Sequence, residues 1–219
     1  MNWLVDNFSN KVIGPLGPHL VISLLPVLLG LVISIPLGWV ANRWPVARAI
    51  LVPAAGILYT IPSLVLFLIL PPLLGTKVLD PVNVIVALTI YTVALLVRSV
   101  ADALAAVPPQ VIAAANAMGY RPVRRFFGVE LPLAVPVLIA GLRVATVSNI
   151  SLTSVAAILG VQQLGALFTD GFAVENYDEI VVAIVLIFLL AMLFDGLLLL
   201  IGRLLTPWAR AGQAVEAAK

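Results

Sequence analysis

The sequence predicts an all-α membrane protein, a polytopic bundle of about five spanning helices with a short helix in one loop. Of its 219 residues, 63% are apolar and only 10% are charged, whereas soluble domains carry about 25% charged residues. Several apolar runs exceed the roughly 18 residues needed to cross a bilayer. These runs are apolar on every side, which favours helices over the alternating strands of a membrane barrel.

Five apolar runs define the predicted spans within a single transmembrane domain that covers residues 1–219. The runs lie at about 19–41, 49–74, 83–106, 133–158 and 179–204, and a long loop covers 107–132. The first twelve residues are too short and polar to span. There, Trp3, Leu4 and Phe8 either form one face of an interfacial helix or belong to a loosely ordered terminus.

Composition excludes several classes of function. The chain has no cysteine and one histidine, so we expect no metal site or thiol chemistry. A net charge of +2 does not indicate nucleic-acid binding. No phosphate-binding Gly-x-x-x-x-Gly-Lys-Ser/Thr motif is present, so ATP hydrolysis needs another subunit. We therefore expect a chain that is not an enzyme and binds no cofactor.

The basic residues predict the orientation, because Lys and Arg concentrate in cytoplasmic loops. With five spans, one side collects eight of them: Arg43, Arg48, Arg121, Arg124, Arg125, Arg203, Arg210 and Lys219. The other side has Lys11 and Lys77 and most of the acids, namely Asp6, Asp80, Asp170, Glu175, Asp178 and Glu179. The N-terminus is therefore predicted outside and the C-terminus in the cytoplasm.

The loop over 107–132 is the most informative segment. Pro108 and Pro109 end the third span and suit the first turn of a new helix. Residues 110–118 favour a helix, and Gly119 suits its C-terminal stop. We predict a short helix across the cytoplasmic ends of the spans, with basic flanks, shaped to dock into a groove on a soluble partner.

This loop resembles the signature of bacterial ABC importer permeases, which reads Glu-Ala-Ala, three residues, Gly, nine residues, Ile-x-Leu-Pro. Here Ala113-Ala114-Ala115 takes the first triplet, Gly119 the glycine, and Val129-Glu130-Leu131-Pro132 the last motif, without gaps. Ala113 departs from the usual glutamate. The resemblance implies a type I importer permease with a cytoplasmic coupling helix. The implied ATPase-coupling residues are Ala113, Ala114, Ala115, Met118, Gly119, Arg121, Arg124, Arg125, Glu130, Leu131 and Pro132.

Three further segments are similar to the osmoprotectant branch of these permeases: YTIPSLVLFLILPPLLG (59–75), IYTVALLVRSVADALAAVPPQV (90–111) and VELPLAVPVLIAGLRVATV (129–147). That branch moves glycine betaine, choline, carnitine and related quaternary amines. The segment over 158–172 is a looser match, since of the usual Gly-Ala-Gly-Gly-Leu-Gly run it keeps Gly160, Leu164 and Gly165.

Three ionisable residues, Arg98, Arg143 and Asp195, fall within apolar spans. A charge at the bilayer centre costs at least about 2.5–3.5 kcal/mol, so partners are expected. Helix rise places all three roughly 14–16 Å from the cytoplasmic helix ends. We predict that Asp195 pairs with Arg143 or Arg98, with Asp102 as a rival i, i+4 partner for Arg98. The cluster is either a clamp between helices or part of the solute path.

Polar side chains in the fourth span suggest a path for solute. Thr146, Asn149 and Thr153 share one helical face, which either lines a pore or hydrogen-bonds a neighbouring helix. Thr60 and Ser63, beside Pro62, are a second candidate patch. Tyr91, like Tyr59, either offers a π-face to a quaternary ammonium or serves packing at the membrane interface.

The resemblance implies an assembly rather than a chain that works alone. Two permease chains, identical or homologous, would pair in the bacterial inner membrane. An ABC ATPase that binds ATP and Mg²⁺ would dock on each cytoplasmic loop, and an extracytoplasmic binding protein would deliver solute. The alternatives are a methionine-type importer permease and an ATP-independent channel or carrier.

Overall fold

The computed structural model describes residues 8–208, with side chains from residue 10, and this part of the chain is helical without strands. The helices in chain order are α1 (Gly14–Arg43), α2 (Pro45–Thr60), α3 (Ser63–Leu74), α4 (Pro81–Ala105), α5 (Pro109–Ala117), α6 (Pro122–Arg125), α7 (Leu131–Val155), α8 (Ala166–Ala173) and α9 (Tyr177–Leu205). The predicted all-α bundle is confirmed. The predicted interfacial side chains of Trp3, Leu4 and Phe8 lie outside the described part, as do Asp6, Arg210 and Lys219.

Proline begins many of these helices. Pro45, Pro81, Pro109 and Pro122 each occupy the first position of their helix, where the missing N–H has no intrahelical acceptor to lose. The carboxylate of Asp80 caps α4 by accepting a hydrogen bond from the Val82 amide at 3.0 Å. The helix starts therefore follow from local chemistry.

Four of the described helical segments are long and apolar enough to cross a membrane alone, and a fifth crossing requires α2 and α3 together. The predicted span over 49–74 consists of two helices rather than one, because α2 and α3 meet at a bend of 100°. Ile61 and Pro62 are extended at the break, with ψ of 128° and 132°. A residue before proline avoids the helical region, and proline cannot donate to the preceding turn.

The start of the fourth span also differs from the prediction. Helical backbone runs without interruption from Pro122 to Leu159, so the helix begins well before the predicted start at about 133. A π-helical turn at Phe126–Glu130 joins α6 to α7. There the Leu131 amide donates to the carbonyl of Phe126, five residues back, just before the proline that has no amide hydrogen.

Helix α4 lies at the centre of the bundle and buries more side chains than any other described helix. It packs against α1, α2, α3 and α7. Two glycines let α1 approach it closely, since a Cβ at Gly30 would overlap Thr92 and a Cβ at Gly38 would overlap Val100. In contrast, α9 buries only Glu179, Ala183 and Gly202.

The helix termini divide the molecule into two ends. The end that carries the 107–132 loop is called the loop end below, and it also holds the α1–α2 connection. At the other end, Lys11 in the turn before α1 forms an ion pair with Glu179, whose side chain is 1% exposed, at 2.7 Å. The first described turn is thereby attached to the last span.

Candidate functional site

The loop end presents a short helix with one anchored side and one open side. Ala115 of α5 is buried, while Ala113, Ala114 and Met118 are exposed. Helix α5 carries no charged side chain, and its only polar side chains are Gln110 and Asn116. The open side is therefore a small, neutral surface that a partner protein can approach closely.

Gly119 ends α5 in the manner predicted. Its φ of +78° lies in the left-handed region. Its amide donates to the Asn116 carbonyl at 2.9 Å, and the Tyr120 amide donates to the Ala115 carbonyl at 3.1 Å. This pair of bonds is a Schellman motif, which satisfies carbonyls at the helix end and favours glycine at this position.

Arg125 holds α5 against the start of the fourth span. Its Nη1 donates to Asn116 Oδ1 at 2.6 Å and its Nε to Glu130 Oε1 at 2.5 Å. Both side chains of the Arg125–Glu130 pair are largely buried. The predicted coupling residues thus fall into two groups. Arg125 and Glu130 position the helix, while Arg121 and Arg124 are exposed beside it.

Sequence reasoning missed two members of this arrangement. Asn116 receives the Arg125 hydrogen bond, and the Tyr120 ring lies under the Arg124 guanidinium at 4.9 Å. Asn116 lies in the last turn of α5 and is exposed, so nothing in the sequence required a protein partner for it. Leu131 and Pro132 are half-buried at the start of α7.

The three predicted intramembrane charges do not form one cluster. Arg143 and Asp195 make a bidentate pair between α7 and α9, with Nε–Oδ1 at 2.7 Å and Nη2–Oδ2 at 2.6 Å. Arg98 lies elsewhere, with its Nε 3.9 Å from Asp102 Oδ2. Equal depth did not bring Arg98 to Asp195, because depth along a helix does not determine which way a side chain points.

Asp102 also accepts a hydrogen bond from Arg48 of α2, a partner that the sequence analysis did not consider. The resulting cluster of Arg48, Arg98 and Asp102 lies towards the loop end. Its side chains are 39%, 72% and 48% exposed, respectively.

The polar face of the fourth span is turned into the bundle. Thr146, Asn149 and Thr153 are all buried, so in this structure they line no open path. Asn149 Nδ2 donates to Thr92 Oγ1 of α4 at 2.9 Å, and the two threonine hydroxyls donate to carbonyls of their own helix. Of the two alternatives for this face, the geometry matches hydrogen bonding between helices.

The break between α2 and α3 carries the other candidate path residues. Thr60 is exposed at the end of α2, and Ser63 is half-buried at the start of α3. Tyr91 is buried and donates its hydroxyl hydrogen to the Ile61 carbonyl at the break. Its ring meets the exposed Tyr59 ring edge-on, with centroids 5.7 Å apart. Tyr91 therefore stabilises the bend, while the side chains of Tyr59 and Thr60 remain exposed.

Comparisons with known proteins place these features in context. Residues 24–210 match the family described as "Binding-protein-dependent transport system inner membrane component". The osmoprotectant import permease protein OsmW of Salmonella typhimurium is 34% identical over 86% of this chain and 89% of its own length. The glycine betaine/carnitine/choline transport system permease protein OpuCB of Bacillus subtilis is 30% identical over 94% of both chains.

The fold also has a close counterpart among solved structures. A chain in an inward-facing structure of the MetNI methionine ABC transporter superposes with a TM-score of 0.79, covering 90% of this chain and 96% of that one. The two sequences are 22% identical, so the likeness concerns the fold alone.

Proposed function

The chain belongs to the family of binding-protein-dependent transport inner membrane components, and on that basis we propose that it imports quaternary-ammonium osmoprotectants such as glycine betaine, choline or carnitine. As a family member it is the membrane-embedded, multi-pass permease subunit of an ATP-driven importer rather than an enzyme. Its fold is that of a type I importer permease, as the sequence predicted.

The observation that carries the ATP-driven part of the proposal is the construction of the loop end. A short neutral helix follows α4 at the loop end, stopped by Gly119 and held by Arg125. The proposed partner is an ABC ATPase that binds ATP and Mg²⁺ and docks on the exposed side of α5. Movement of that ATPase would pass through Arg125 and Glu130 to α7, which is continuous with α6, and would bias a two-state bundle.

The charge of the exposed side of α5 indicates which kind of groove on an ATPase would bind it. Ala113 is neutral where the signature has glutamate, and Arg121 and Arg124 add two positive charges beside it. A matching groove has an apolar floor without a cation opposite Ala113, and acidic residues at its rim. The cognate ATPase is therefore expected to differ in charge from ATPases that serve glutamate-bearing permeases.

The proposed assembly contains a second permease chain, identical or homologous, and an extracytoplasmic binding protein at the end opposite the loop end. The break at Ile61–Pro62 supports a paired arrangement, because interrupted backbone at membrane depth needs protein or a water-filled cavity around it. Thr60 and Ser63 at this break remain candidates for the solute path. Following the distribution of Lys and Arg, the loop end is assigned to the cytoplasm, with the N-terminus outside.

The proposed substrate class rests on the named relatives, which transport osmoprotectants. A methionine-type substrate has less support, since the likeness to MetNI is one of fold at 22% identity. An ATP-independent channel or carrier is the alternative from another class. It would need no docking helix at the loop end.

Reconstituted uptake tests this function with a matched pair of glycine variants. Gly119 and Gly75 both have positive φ, +78° and +67°, with open space where a Cβ would lie. Valine at either position carries a similar backbone strain of about 1–3 kcal/mol. Proteoliposomes holding the permease, its ATPase and its binding protein should take up labelled glycine betaine only with ATP.

Gly119→Val should abolish most of this uptake while the ATPase continues to hydrolyse ATP. Gly75→Val, on the turn between α3 and α4 at the other end, should retain uptake. Uptake without ATP would contradict the importer, and equal loss in both variants would contradict the role of the loop.

A further inference from the structure

Helix α4 is enclosed over most of its length, and two of its exposed positions are charged. Between Asn83 and Ala105, the exposed residues are Arg98, Asp102 and Ala105. Their i, i+4, i+7 spacing places them on one face of the helix. The central helix of the bundle is thus exposed along one charged strip, formed by Arg98, Asp102 and Ala105 in its loop-end half.

The strip carries an excess of positive charge. Arg48 and Arg98 share the single carboxylate of Asp102, which leaves one net positive charge. Arg98 is the more loosely held of the two, since its Nε lies 3.9 Å from the carboxylate and its side chain is 72% exposed. Its guanidinium therefore has donors available for another acceptor.

The guanidinium of Arg98 is not expected to face either lipid or a second copy of the chain. Arg98 lies seven residues before the end of α4, about 10 Å along the helix, and charged residues at such depth face protein or water-filled cavities. Two of the described carboxylates lie on the loop-end halves of the spanning helices, Asp102 and Asp195, and both are already paired. A second copy would bring no unpaired described carboxylate from its spans to this strip.

We infer that Arg98 faces the water-filled, loop-end half of the solute path and contacts the carboxylate of the transported solute. This inference rests on the proposed importer function and specifies its substrate chemistry. A guanidinium with spare donors binds carboxylates well, and the net positive charge repels cations. The strip therefore favours zwitterions that carry a carboxylate, such as glycine betaine or carnitine, over choline, which is a net cation.

Thiol labelling tests the water-filled setting, and it needs no background correction because the chain has no cysteine. Arg98→Cys is compared with Leu197→Cys, which is exposed on α9 and lies eight residues before the end of that helix. In nanodiscs, water-soluble methanethiosulfonate reagents should modify position 98 at least tenfold faster than position 197. Equal, slow labelling of both would overturn the inference.

The charge of the strip is tested separately at Ala105→Cys. A sulfonate reagent should react faster there than a trimethylammonium reagent. This preference should fall several-fold with Arg98→Gln and persist with Arg98→Lys. An unchanged preference in Arg98→Gln would show that Arg98 does not set the local potential, whether or not the protein transports osmoprotectants.

Solute selectivity completes the test in proteoliposomes. The ratio of glycine betaine to choline uptake should fall several-fold in Arg98→Gln and recover in Arg98→Lys. A parallel loss of both solutes would make Arg98 merely structural and overturn the inference. If the unaltered assembly moves neither solute with ATP, the proposed substrate class is wrong, while the two labelling experiments still decide the water exposure and charge of the strip.

Discussion

At the scale of single residues, the Arg143–Asp195 pair is an ion pair between α7 and α9, which also pack against each other. Both side chains are about one-third exposed on this chain, and their two parallel hydrogen bonds fix the relative rotation of the helices. Removing one partner leaves a charge in apolar surroundings, whereas removing both charges does not. Comparing single with double variants therefore distinguishes a clamp between helices from a residue that acts on solute.

We expect Asp195→Asn and Arg143→Gln each to lower the Tm of the purified permease, and the double variant to recover part of the loss. Tryptophan fluorescence on heating measures this, with Asp178→Asn, an exposed acid in the first turn of α9, as the control. Uptake is measured in parallel. Single variants that behave like Asp178→Asn would refute the clamp.

The sequence identified Arg98 and Arg143 as candidate partners of Asp195, but it did not show which of the two forms the pair. Helix rise gives the depth of Arg98, Arg143 and Asp195, whereas pairing depends also on the rotation of each helix, which packing determines. The same limit applies to Asn149. Periodicity placed it on one face with Thr146 and Thr153, but periodicity does not show that this face meets Thr92 of α4.

At the scale of elements, the contact between α1 and α4 depends on the absence of side chains. A Cβ at Gly38 would overlap the side chain of Val100 and lie 3.1 Å from the Ala101 amide nitrogen. Because part of the obstruction is backbone, α4 itself would have to move. Gly17, on the same helix α1, has nothing within 4 Å of the same position.

We therefore predict that Gly38→Ala destabilises the protein by about 1–3 kcal/mol through overpacking. Gly17→Ala should be neutral or slightly stabilising, since alanine favours a helix. Unfolding titrations in mixed detergent micelles measure both. Equal effects of the two substitutions would mean that α1 and α4 are not closely packed at Gly38.

Elements also show why the broken span was not predictable. Pro26 and Pro36 lie inside α1, Pro53 inside α2, and Pro71 inside α3, without ending their helices. Pro62, in contrast, lies at the break between α2 and α3, where the Tyr91 hydroxyl donates to the freed Ile61 carbonyl. The prolines mark positions where a helix can break, but a side chain distant in sequence, here Tyr91, determines which break forms. The coupling loop was easier to predict, because the start of its helix, the glycine at the helix end and the loop length can all be read from neighbouring residues.

At the scale of the whole molecule, charge distribution gives the bundle a direction. Arg43, Arg48, Arg121, Arg124 and Arg125 all lie at the loop end, and Lys77 lies at the other. This asymmetry is readable from sequence because it requires only span boundaries, not packing. The arrangement of two such chains around a path is not readable in this way, since it depends on surfaces that the single chain leaves open.

Single cysteines test the direction in intact cells. Lys77→Cys, exposed on the turn before α4, should react with a membrane-impermeant maleimide added outside. Gln110→Cys, exposed on α5, should react only after permeabilisation. The reverse pattern would invert the assigned topology and remove α5 from the reach of a cytoplasmic ATPase.

Helix α9 buries few of its side chains, which has a consequence for how the protein sits among lipids. Its 29 residues span about 43 Å, whereas the hydrocarbon core measures about 30 Å. A helix this long relieves the mismatch by tilting or by extending beyond the core. The Asp195–Arg143 pair and the close approach of Gly202 to Ile139 attach α9 to α7, so α9 changes its tilt together with α7. A thinner membrane would lean it further, and a thicker one would set it more upright.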